Sequence, residues 1–220
     1  MPVFVVANPK GGVGKSTLAT NLAGALARQG HAVMLGDIDR QQSSRTWLKL
    51  RPEGVPAIRN WDVSADAIAK PPKGTTHVVL DTPAGLHGRK LDEVMKIAEH
   101  VLVPLQPSIF DIYATQAFIA DLVARRRHAG VEVAVVGNRV REGSISAGQL
   151  QSFLATLGVP LLGALRDTQN YVHLAARGLT LWDVAPSRVE KDLEQWQPIL
   201  RWAGGDRAAR PARNLEGAAA

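Results

Sequence analysis

Short apolar runs alternate along the chain with longer segments in which apolar residues recur at helical spacing. Runs such as "HVVL" at 77–80 and "HVLVP" at 100–104 are apolar at consecutive positions, which is typical of strands buried on both faces. The runs predict seven strands: Val3–Ala7, Ala32–Gly36, Ala57–Trp61, His77–Leu80, His100–Pro104, Val131–Gly137 and Leu161–Leu165. The helical patterns predict Lys15–Gln29, Ser43–Leu50, Ala65–Ala69, Lys90–Ala98, Tyr113–Ala129, Ala147–Leu157, Tyr171–Arg177 and Arg188–Trp202. This alternation predicts an α/β fold, a doubly wound and mostly parallel sheet with helices on both faces.

The C-terminal quarter differs in composition from the rest. We expect residues 1–203 to form a single domain, followed at 204–220 by a small, basic and flexible tail. Just before it, "PSRVEKDLEQWQ" is typical of a capped helix, with Ser187 as the N-cap and Glu190 completing a capping box.

Composition narrows the class of protein. The 220 residues carry a net charge of +6 and no cysteine, which favours a polyanionic partner and excludes disulfides and iron–sulfur clusters. We see neither a charged and apolar leader nor an apolar run of membrane-spanning length, and therefore expect a cytoplasmic protein.

The segment "NPKGGVGKST", residues 8–17, lies between the first predicted strand and the first predicted helix. It matches the phosphate-binding pattern G-x-x-x-x-G-K-[ST], except that Pro9 stands at the first glycine. Glycines let the backbone turn its N–H groups toward an anion, and the helix N-terminus adds its positive dipole end. In such a loop Lys15 reaches the terminal phosphates and Ser16 binds Mg²⁺. The segment predicts a nucleoside triphosphate site.

Carboxylates follow two of the predicted strands. Asp37 and Asp39 come after the second strand, in "LGDIDRQQSS", and Asp81 comes after the fourth, in "VVLDTPAG". Beside a phosphate loop, such carboxylates hold Mg²⁺ through water or orient the water that attacks the γ-phosphate. The alternative is that they cap the following helix or form a turn.

Taken together, "KGGVGKST", "DIDRQQSS" and "DTPAG" resemble the deviant Walker A P-loop ATPases, which include the ParA-type partition ATPases, the MinD-type positioning ATPases and the nitrogenase iron protein. The resemblance continues in "VLVPLQPSIFDIYA" and "VVGNRV" and covers most of residues 1–185. The opening "NPKGG" is most similar to short ParA-type proteins, which lack an N-terminal DNA-binding domain.

The resemblance implies ATP and Mg²⁺ as cofactors and assigns the site residues. Lys10 would be the signature lysine, which reaches the phosphates held by the other subunit of an ATP-sandwich homodimer. The implied catalytic residues are Lys10, Lys15 and Asp39, the last positioning the hydrolytic water. The implied metal residues are Ser16, Asp37 and Asp81. The implied nucleotide contacts are Gly11, Gly12, Val13, Gly14, Lys15, Ser16, Thr17 and, with adenine, Asn138.

One position departs from the family pattern. Arg40 replaces the proline that often follows the switch aspartate. It is either a local charge partner of the triphosphate or a residue that points into solvent.

The resemblance also implies a cellular role. Such an ATPase dimerises with ATP, binds DNA without sequence preference and hydrolyses ATP slowly until a ParB-like or cargo adaptor protein stimulates it. It thereby segregates or positions a plasmid, a chromosome region or a protein cargo on the nucleoid. The candidate DNA-binding residues are Arg177, Arg188, Lys191, Arg201 and Arg207. Because acidic residues are interspersed, the alternative is that these are ordinary solvated side chains.

Two other functions remain as alternatives. One is a soluble P-loop phosphotransferase that acts on a small molecule. The other is a MinD-like membrane-positioning ATPase, but the final stretch lacks the apolar face that a membrane-binding amphipathic helix needs, so we expect no membrane partner.

Overall fold

The computed structural model of the chain describes residues 1–63, 70–141 and 158–204. Seven parallel strands form one sheet, in the order β3-β2-β4-β1-β5-β6-β7. The strands are β1 (Val3–Val6), β2 (Val33–Asp37), β3 (Ile58–Trp61), β4 (His77–Asp81), β5 (His100–Leu105), β6 (Glu132–Val140) and β7 (Leu161–Arg166). All seven predicted strands are confirmed, with ends that differ by at most three residues.

The described helices also follow the predicted pattern. They are α1 (Lys15–Arg28), α2 (Ser43–Leu50), α3 (Gly88–Ile97), α4 (Ile109–Ala129), α5 (Asn170–Ala175) and α6 (Glu190–Ala203), with 3₁₀ turns at Leu181–Asp183 and Pro186–Arg188. The predicted helices at 65–69 and 147–157, and all of the predicted tail except Gly204, lie outside the described residues.

Helices cover both faces of the sheet, as a doubly wound fold requires. On one face α1, α2 and α6 pack over the strands, around the fully buried Leu18, Leu22 and Trp196. On the other face α3 and α4 cover a second core that includes Leu91 and Leu122. Consecutive strand residues enter opposite cores, which is why the strands read as unbroken apolar runs.

The pairing register brings the predicted acidic residues to one edge of the sheet. Strand β4 lies between β1 and β2, so that Asp81 is paired with Val6 on one side and with Asp37 on the other. Because all strands are parallel, their carboxyl ends meet where the loop between β1 and α1 also begins. The topology therefore assembles the candidate site.

The predicted capping box before the last helix is wrong. Pro186 begins a 3₁₀ turn, and Val189, with φ −135° and ψ 21°, separates this turn from α6 and stands at its N-cap without a side-chain cap. A complete capping box occurs instead at the 3₁₀ turn 181–183, between Thr180 and Asp183. The sequence predicts the capping box at the wrong turn, because sequence alone does not distinguish a 3₁₀ turn from the first turn of an α-helix.

Candidate active site

The loop between β1 and α1 is shaped by its glycines. Gly12 and Gly14 have φ values of 75° and 95°, in the left-handed region that glycine adopts without strain. A Cβ on Gly14 would also lie 2.1 Å from Nδ2 of Asn138, so only glycine fits there. Nε2 of Gln106 donates to the carbonyl oxygen of Gly12 at 3.0 Å. The loop is thus braced from two neighbouring strand ends while Gly11 and Gly12 stay exposed.

Lys15 is buried at the first position of α1. Its Nζ donates to the carbonyl oxygen of Lys10 at 2.8 Å, which closes the loop on itself. Burial lowers the pKa of Lys15, whereas the negative charges of Asp81 and Asp39 raise it. An ammonium group held at a helix N-terminus among exposed backbone N–H groups forms a polyphosphate site.

Asp37 acts as a remote N-cap of α2. Its Oδ2 accepts the backbone N–H groups of Ser44 at 2.8 Å and Arg45 at 3.3 Å, and its Oδ1 accepts that of Asp39 at 2.9 Å. Burial raises the pKa of Asp37, and these three hydrogen bonds lower it. The capping alternative therefore describes the observed contacts of Asp37, and both of its oxygens are engaged by the backbone.

Asp81 is the most deeply buried of the three predicted carboxylates. Its side chain accepts a hydrogen bond from Oγ of Ser44 at 2.7 Å through Oδ2, whereas the buried Oδ1 has no hydrogen-bond partner among the described residues. Burial raises the pKa of Asp81 to about 6, and the nearby hydroxyl groups of Ser16 and Ser44 act in the opposite direction. A buried carboxylate oxygen without a donor is costly unless a cation or a water molecule reaches it.

These contacts fit a magnesium ion bound together with a nucleoside triphosphate. The Ser16 hydroxyl and the orphaned Oδ1 of Asp81 are oxygen groups of the kind that Mg²⁺ or its water ligands take. Within 1–63, 70–141 and 158–204, no three His, Asp or Glu side chains form a metal-binding group. This agrees with Mg²⁺ chemistry, because the ion takes most of its ligands from phosphates and water.

Asn138 reaches the loop because β6 is irregular near its end. The pairing of β6 with β7 shifts register between Gly137 and Val140, and Arg139 has a φ of 53°. Such bulges redirect a side chain. The buried Asn138 donates Nδ2 to the carbonyl oxygen of Val13 at 2.7 Å and so supports the phosphate loop from below.

The other predicted site residues border this centre. Asp39 is half-buried, accepts the backbone N–H of Gln41 at 3.1 Å and acts electrostatically on Lys15. Thr17 is half-buried in the first turn of α1. Arg40 is exposed, in agreement with the reading in which it points into solvent.

Lys10 lies outside this cluster. Its Nζ lies 3.0 Å from Oδ1 of Asp111, in the first turn of α4, while Lys15 and the carboxylates lie on the inner side of the loop. The two lysines of the loop therefore have different partners.

The structure places the predicted basic residues at three separate positions. Arg188 and Lys191 are exposed at the start of α6, near the carboxyl end of β7. Arg201 is exposed in the last turn of that helix, about 15 Å further along at 1.5 Å per residue, beside Trp202, which packs on the first residue of β5. Arg177 is exposed next to Gly178, whose carbonyl oxygen accepts a hydrogen bond from Arg51 at the end of α2. Arg207 lies outside the described residues.

Sequence reasoning missed several polar residues that organise the site. They are Asn8, Ser44, Gln106, Asp111 and Thr115, of which Asn8, Ser44 and Thr115 are fully buried. The available signal for Asn8 was its place directly after the apolar β1, where a buried polar side chain needs partners. Ser44 and Thr115 lie inside helical patterns and gave no such signal.

Among the described residues, no helix has the length and apolar character needed to span a bilayer.

Comparison with known proteins adds independent findings. A family model described as the CobQ/CobB/MinD/ParA nucleotide binding domain matches residues 4–181. Maintenance of carboxysome distribution protein A of Halothiobacillus neapolitanus is 29% identical over 190 residues, covering 82% of this chain and 87% of that protein. Chromosome-partitioning ATPase Soj of Thermus thermophilus is 28% identical over 220 residues, covering 84% and 81%. The solved Cyanothece McdA–ATP complex superposes with a TM-score of 0.71 at 15% identity, over 93% of this chain and 96% of that one.

Proposed function

Because the chain belongs to the CobQ/CobB/MinD/ParA family of nucleotide-binding domains, whose members are ATPases that use ATP and Mg²⁺, we propose that it is an ATP-dependent dimerising switch. In this proposal the dimer binds DNA without sequence preference and positions a cargo on the nucleoid. Slow hydrolysis of ATP then returns it to the monomer.

Each residue of the centre has a role in hydrolysis. Lys15 holds the β- and γ-phosphates, the loop N–H groups from Gly11 to Gly14 surround them, and Thr17 contacts the α-phosphate. Ser16 and Asp81 would hold Mg²⁺, which would neutralise the charge that builds up on the transferred phosphoryl group. Asp39 orients the water that attacks the γ-phosphorus, and the bond to the ADP oxygen breaks. Asp37 shapes the metal side by anchoring the turn into α2, and Asn138, which supports the loop at Val13, would contact the adenine.

The position of Lys10 is the single observation that carries the switch proposal. One lysine, Lys15, already serves the inner side of the loop, where it lies among carboxylates. Lys10 is 37% exposed and is paired with Asp111 in the first turn of α4, and the same end of this helix carries Phe110 and Tyr113, which are 76% and 64% exposed. A partly exposed cation in a phosphate loop and exposed aromatic side chains at the adjoining helix end suit a protein partner better than solvent. A second copy of the chain, whose nucleotide needs a further positive charge, is the partner that fits.

Basic residues support DNA as the polyanion. Arg188 and Lys191 are exposed at the start of α6 and lie three residues apart, whereas Arg177 is exposed near the end of α2. In a dimer, two such groups would be present, and each phosphate contact would release counterions. The relatives named for carboxysome distribution and for chromosome partitioning support a positioning role, and they leave the cargo open.

An adaptor protein completes the cycle. The centre contains a buried lysine and carboxylates, and Arg40, which follows Asp39, is exposed, so we expect slow intrinsic hydrolysis. A ParB-like or cargo adaptor that adds or orders a charge at the dimer would accelerate it.

The test is binding to random-sequence duplex DNA with ATP, with ADP and without nucleotide, in the wild type and in Lys10→Ala. We expect binding with ATP alone, its loss in Lys10→Ala, and a steep decrease with salt. Retained ATP binding by Lys10→Ala would show that the variant is folded and that its defect lies in dimerisation.

Charge reversal locates the DNA surface. Arg188→Glu together with Lys191→Glu should abolish DNA binding while ATP-dependent dimerisation persists. Arg28→Glu, an exposed arginine at the far end of α1, is the matched control and should weaken binding only slightly. DNA binding that ignores nucleotide, or no binding at all, would refute the proposal and favour a small-molecule acceptor or a membrane surface.

A further inference from the structure

Lys10 is held at two points by one face of α4. Its Nζ lies 3.0 Å from Oδ1 of Asp111, a carboxylate that is only 13% exposed. Its backbone N–H donates to Oδ1 of Asn8 at 2.8 Å. The Nδ2 of Asn8 in turn donates to Oγ1 of Thr115 at 3.1 Å and to the carbonyl oxygen of Pro104 at 2.7 Å.

The two anchoring residues of α4 lie one helical turn apart. Asp111 and Thr115 are at positions i and i+4, which project from the same side of a helix. Thr115 and Asn8 are fully buried, so the backbone of Lys10 is fixed to the core. The ion pair with Asp111 is the outer and more accessible of the two contacts. The side chain of Lys10 can therefore leave Asp111 without disturbing the base of the loop.

The same segment is linked to the nucleotide side of the loop. Nζ of Lys15 donates to the carbonyl oxygen of Lys10 at 2.8 Å. A triphosphate that attracts the Lys15 ammonium competes with this carbonyl. Nucleotide binding therefore acts directly on the residue whose side chain is paired with Asp111.

We propose that Asp111 is a positioning residue that holds Lys10 within its own subunit, and that this ion pair must open before Lys10 reaches the nucleotide of a second copy of the chain. The inference rests on the proposed dimerising switch. The ion pair stabilises the monomer and thereby sets the protein concentration at which ATP produces dimers. Two such pairs open for each dimer that forms.

The consequence is a shift in dimerisation. A partly exposed ion pair is weak, so opening two of them corresponds to about a 2- to 30-fold difference in the dimer dissociation constant. Asp111→Asn removes the negative charge and keeps the size of the side chain. We expect this variant to dimerise with ATP at about 2- to 30-fold lower protein concentration than the wild type, and Asp111→Glu to restore wild-type behaviour.

The experiment is sedimentation of the full chain with a non-hydrolysable ATP analogue and Mg²⁺ over a range of protein concentrations. Asp121→Asn is the matched control, because Asp121 lies on the same helix and its carboxylate pairs with Arg125 at 2.9 Å, away from Lys10. The protein concentration for half-maximal ATPase activity should decrease in Asp111→Asn by the same factor as the dimer dissociation constant. In a Lys10→Ala background, Asp111→Asn should have no effect on dimerisation.

The outcomes separate this inference from the function on which it rests. If Lys10→Ala dimerises like the wild type, the proposed switch fails and the role of Asp111 fails with it. If Lys10→Ala loses the dimer but Asp111→Asn dimerises no better than the wild type, only the role of Asp111 is refuted. The same holds if Asp121→Asn shifts dimerisation as much as Asp111→Asn does.

Discussion

Replacing Asp81 with asparagine should make the nucleotide-free protein more stable. Asp81 is only 1% exposed, one of its carboxylate oxygens has no hydrogen-bond partner among the described residues, and burial raises its pKa to about 6. A carboxyl group of this kind is destabilising when it is ionised, because the folded state solvates its charge less well than water does. We therefore expect Asp81→Asn to increase the free energy of unfolding.

The size of the expected change in the free energy of unfolding follows from the pKa of Asp81. Between the ordinary value of 3.8 and about 6, the folded state binds the proton more tightly than the unfolded state. Ionisation therefore removes stability progressively as the pH rises through this window, and above pH 6 the whole effect, about 3 kcal/mol, is present. This value already includes the attraction between Asp81 and Lys15. Because an amide does not reproduce every hydrogen bond of the carboxyl group, the expected gain is about 1–2 kcal/mol.

The assay is thermal unfolding without nucleotide or Mg²⁺ at pH 7.5 and pH 4.5. At pH 7.5 we expect the variant to melt about 2–8 °C higher than the wild type. At pH 4.5 the advantage should be much smaller, because Asp81 is then mostly protonated in the wild type. With Mg²⁺ and ATP present, the wild type should gain more stability than the variant, because the carboxylate then has its cation.

A matched variant controls for the loss of a buried charge. Asp183 is also buried, but its carboxylate is paired with Arg51 at 2.9 Å and accepts hydrogen bonds from the backbone N–H and hydroxyl of Thr180. Asp183→Asn should therefore destabilise the protein, by about 3 kcal/mol. If Asp81→Asn also melts below the wild type at pH 7.5, or if its advantage does not change with pH, the reasoning is refuted.

Three further predictions concern other parts of the molecule. Burial, together with the nearby charges of His31 and the amino terminus, lowers the pKa of His77 to about 4, so this histidine contributes stability that is lost as the pH falls from 6.5 toward 4. In denaturant unfolding across this range, the free energy of unfolding should decrease less in His77→Gln than in the wild type, and an equal decrease would contradict the assignment. Asn138→Ala removes the hydrogen bond to the Val13 carbonyl and should weaken ATP binding about 5- to 30-fold in calorimetry; unchanged affinity would show that the loop does not need this support. A Cβ on Gly24 would lie 2.5 Å from the Thr180 side chain, so Gly24→Ala should lower the free energy of unfolding by about 1–3 kcal/mol in a denaturant titration. ATP turnover at 25 °C should be retained, and a variant as stable as the wild type would refute the close contact.

Most of the fold could be predicted from residue order alone. The apolar runs that became β1, β2, β4, β5 and β6 are buried on both faces, so their sequence pattern is unambiguous, whereas the edge strands β3 and β7 contain exposed positions. The helix over Ser43–Leu50 was predicted with its observed ends. The capping box at Ser187 was the clear error, since a proline-led 3₁₀ turn and the first turn of an α-helix share the same residue preferences.

The site could be predicted only in part. The phosphate loop could be predicted, because the glycines, Lys15 and the start of α1 follow one another in sequence. The geometry of such a contiguous motif depends little on the rest of the fold. The choice between a metal residue and a helix cap for Asp37 was not local. It depended on Ser44 and Arg45, whose N–H groups face that carboxylate only after β2 and α2 have packed.

The sequence by itself determined that seven strands and their connecting helices form a nucleotide-binding domain. The spacing of hydrophobic residues and the contiguous glycine-rich loop depend only on residues that are close together in the chain. Tertiary structure alone decided which polar groups meet. Asn8 is hydrogen-bonded to Thr115, 107 positions away in sequence, and Ser44 to Asp81, 37 positions away. Lys10 forms an ion pair with Asp111 at the start of α4. These pairs depend on strand order and register, since a buried donor and its acceptor satisfy each other wherever the packed sheet brings them together, whatever their separation in sequence.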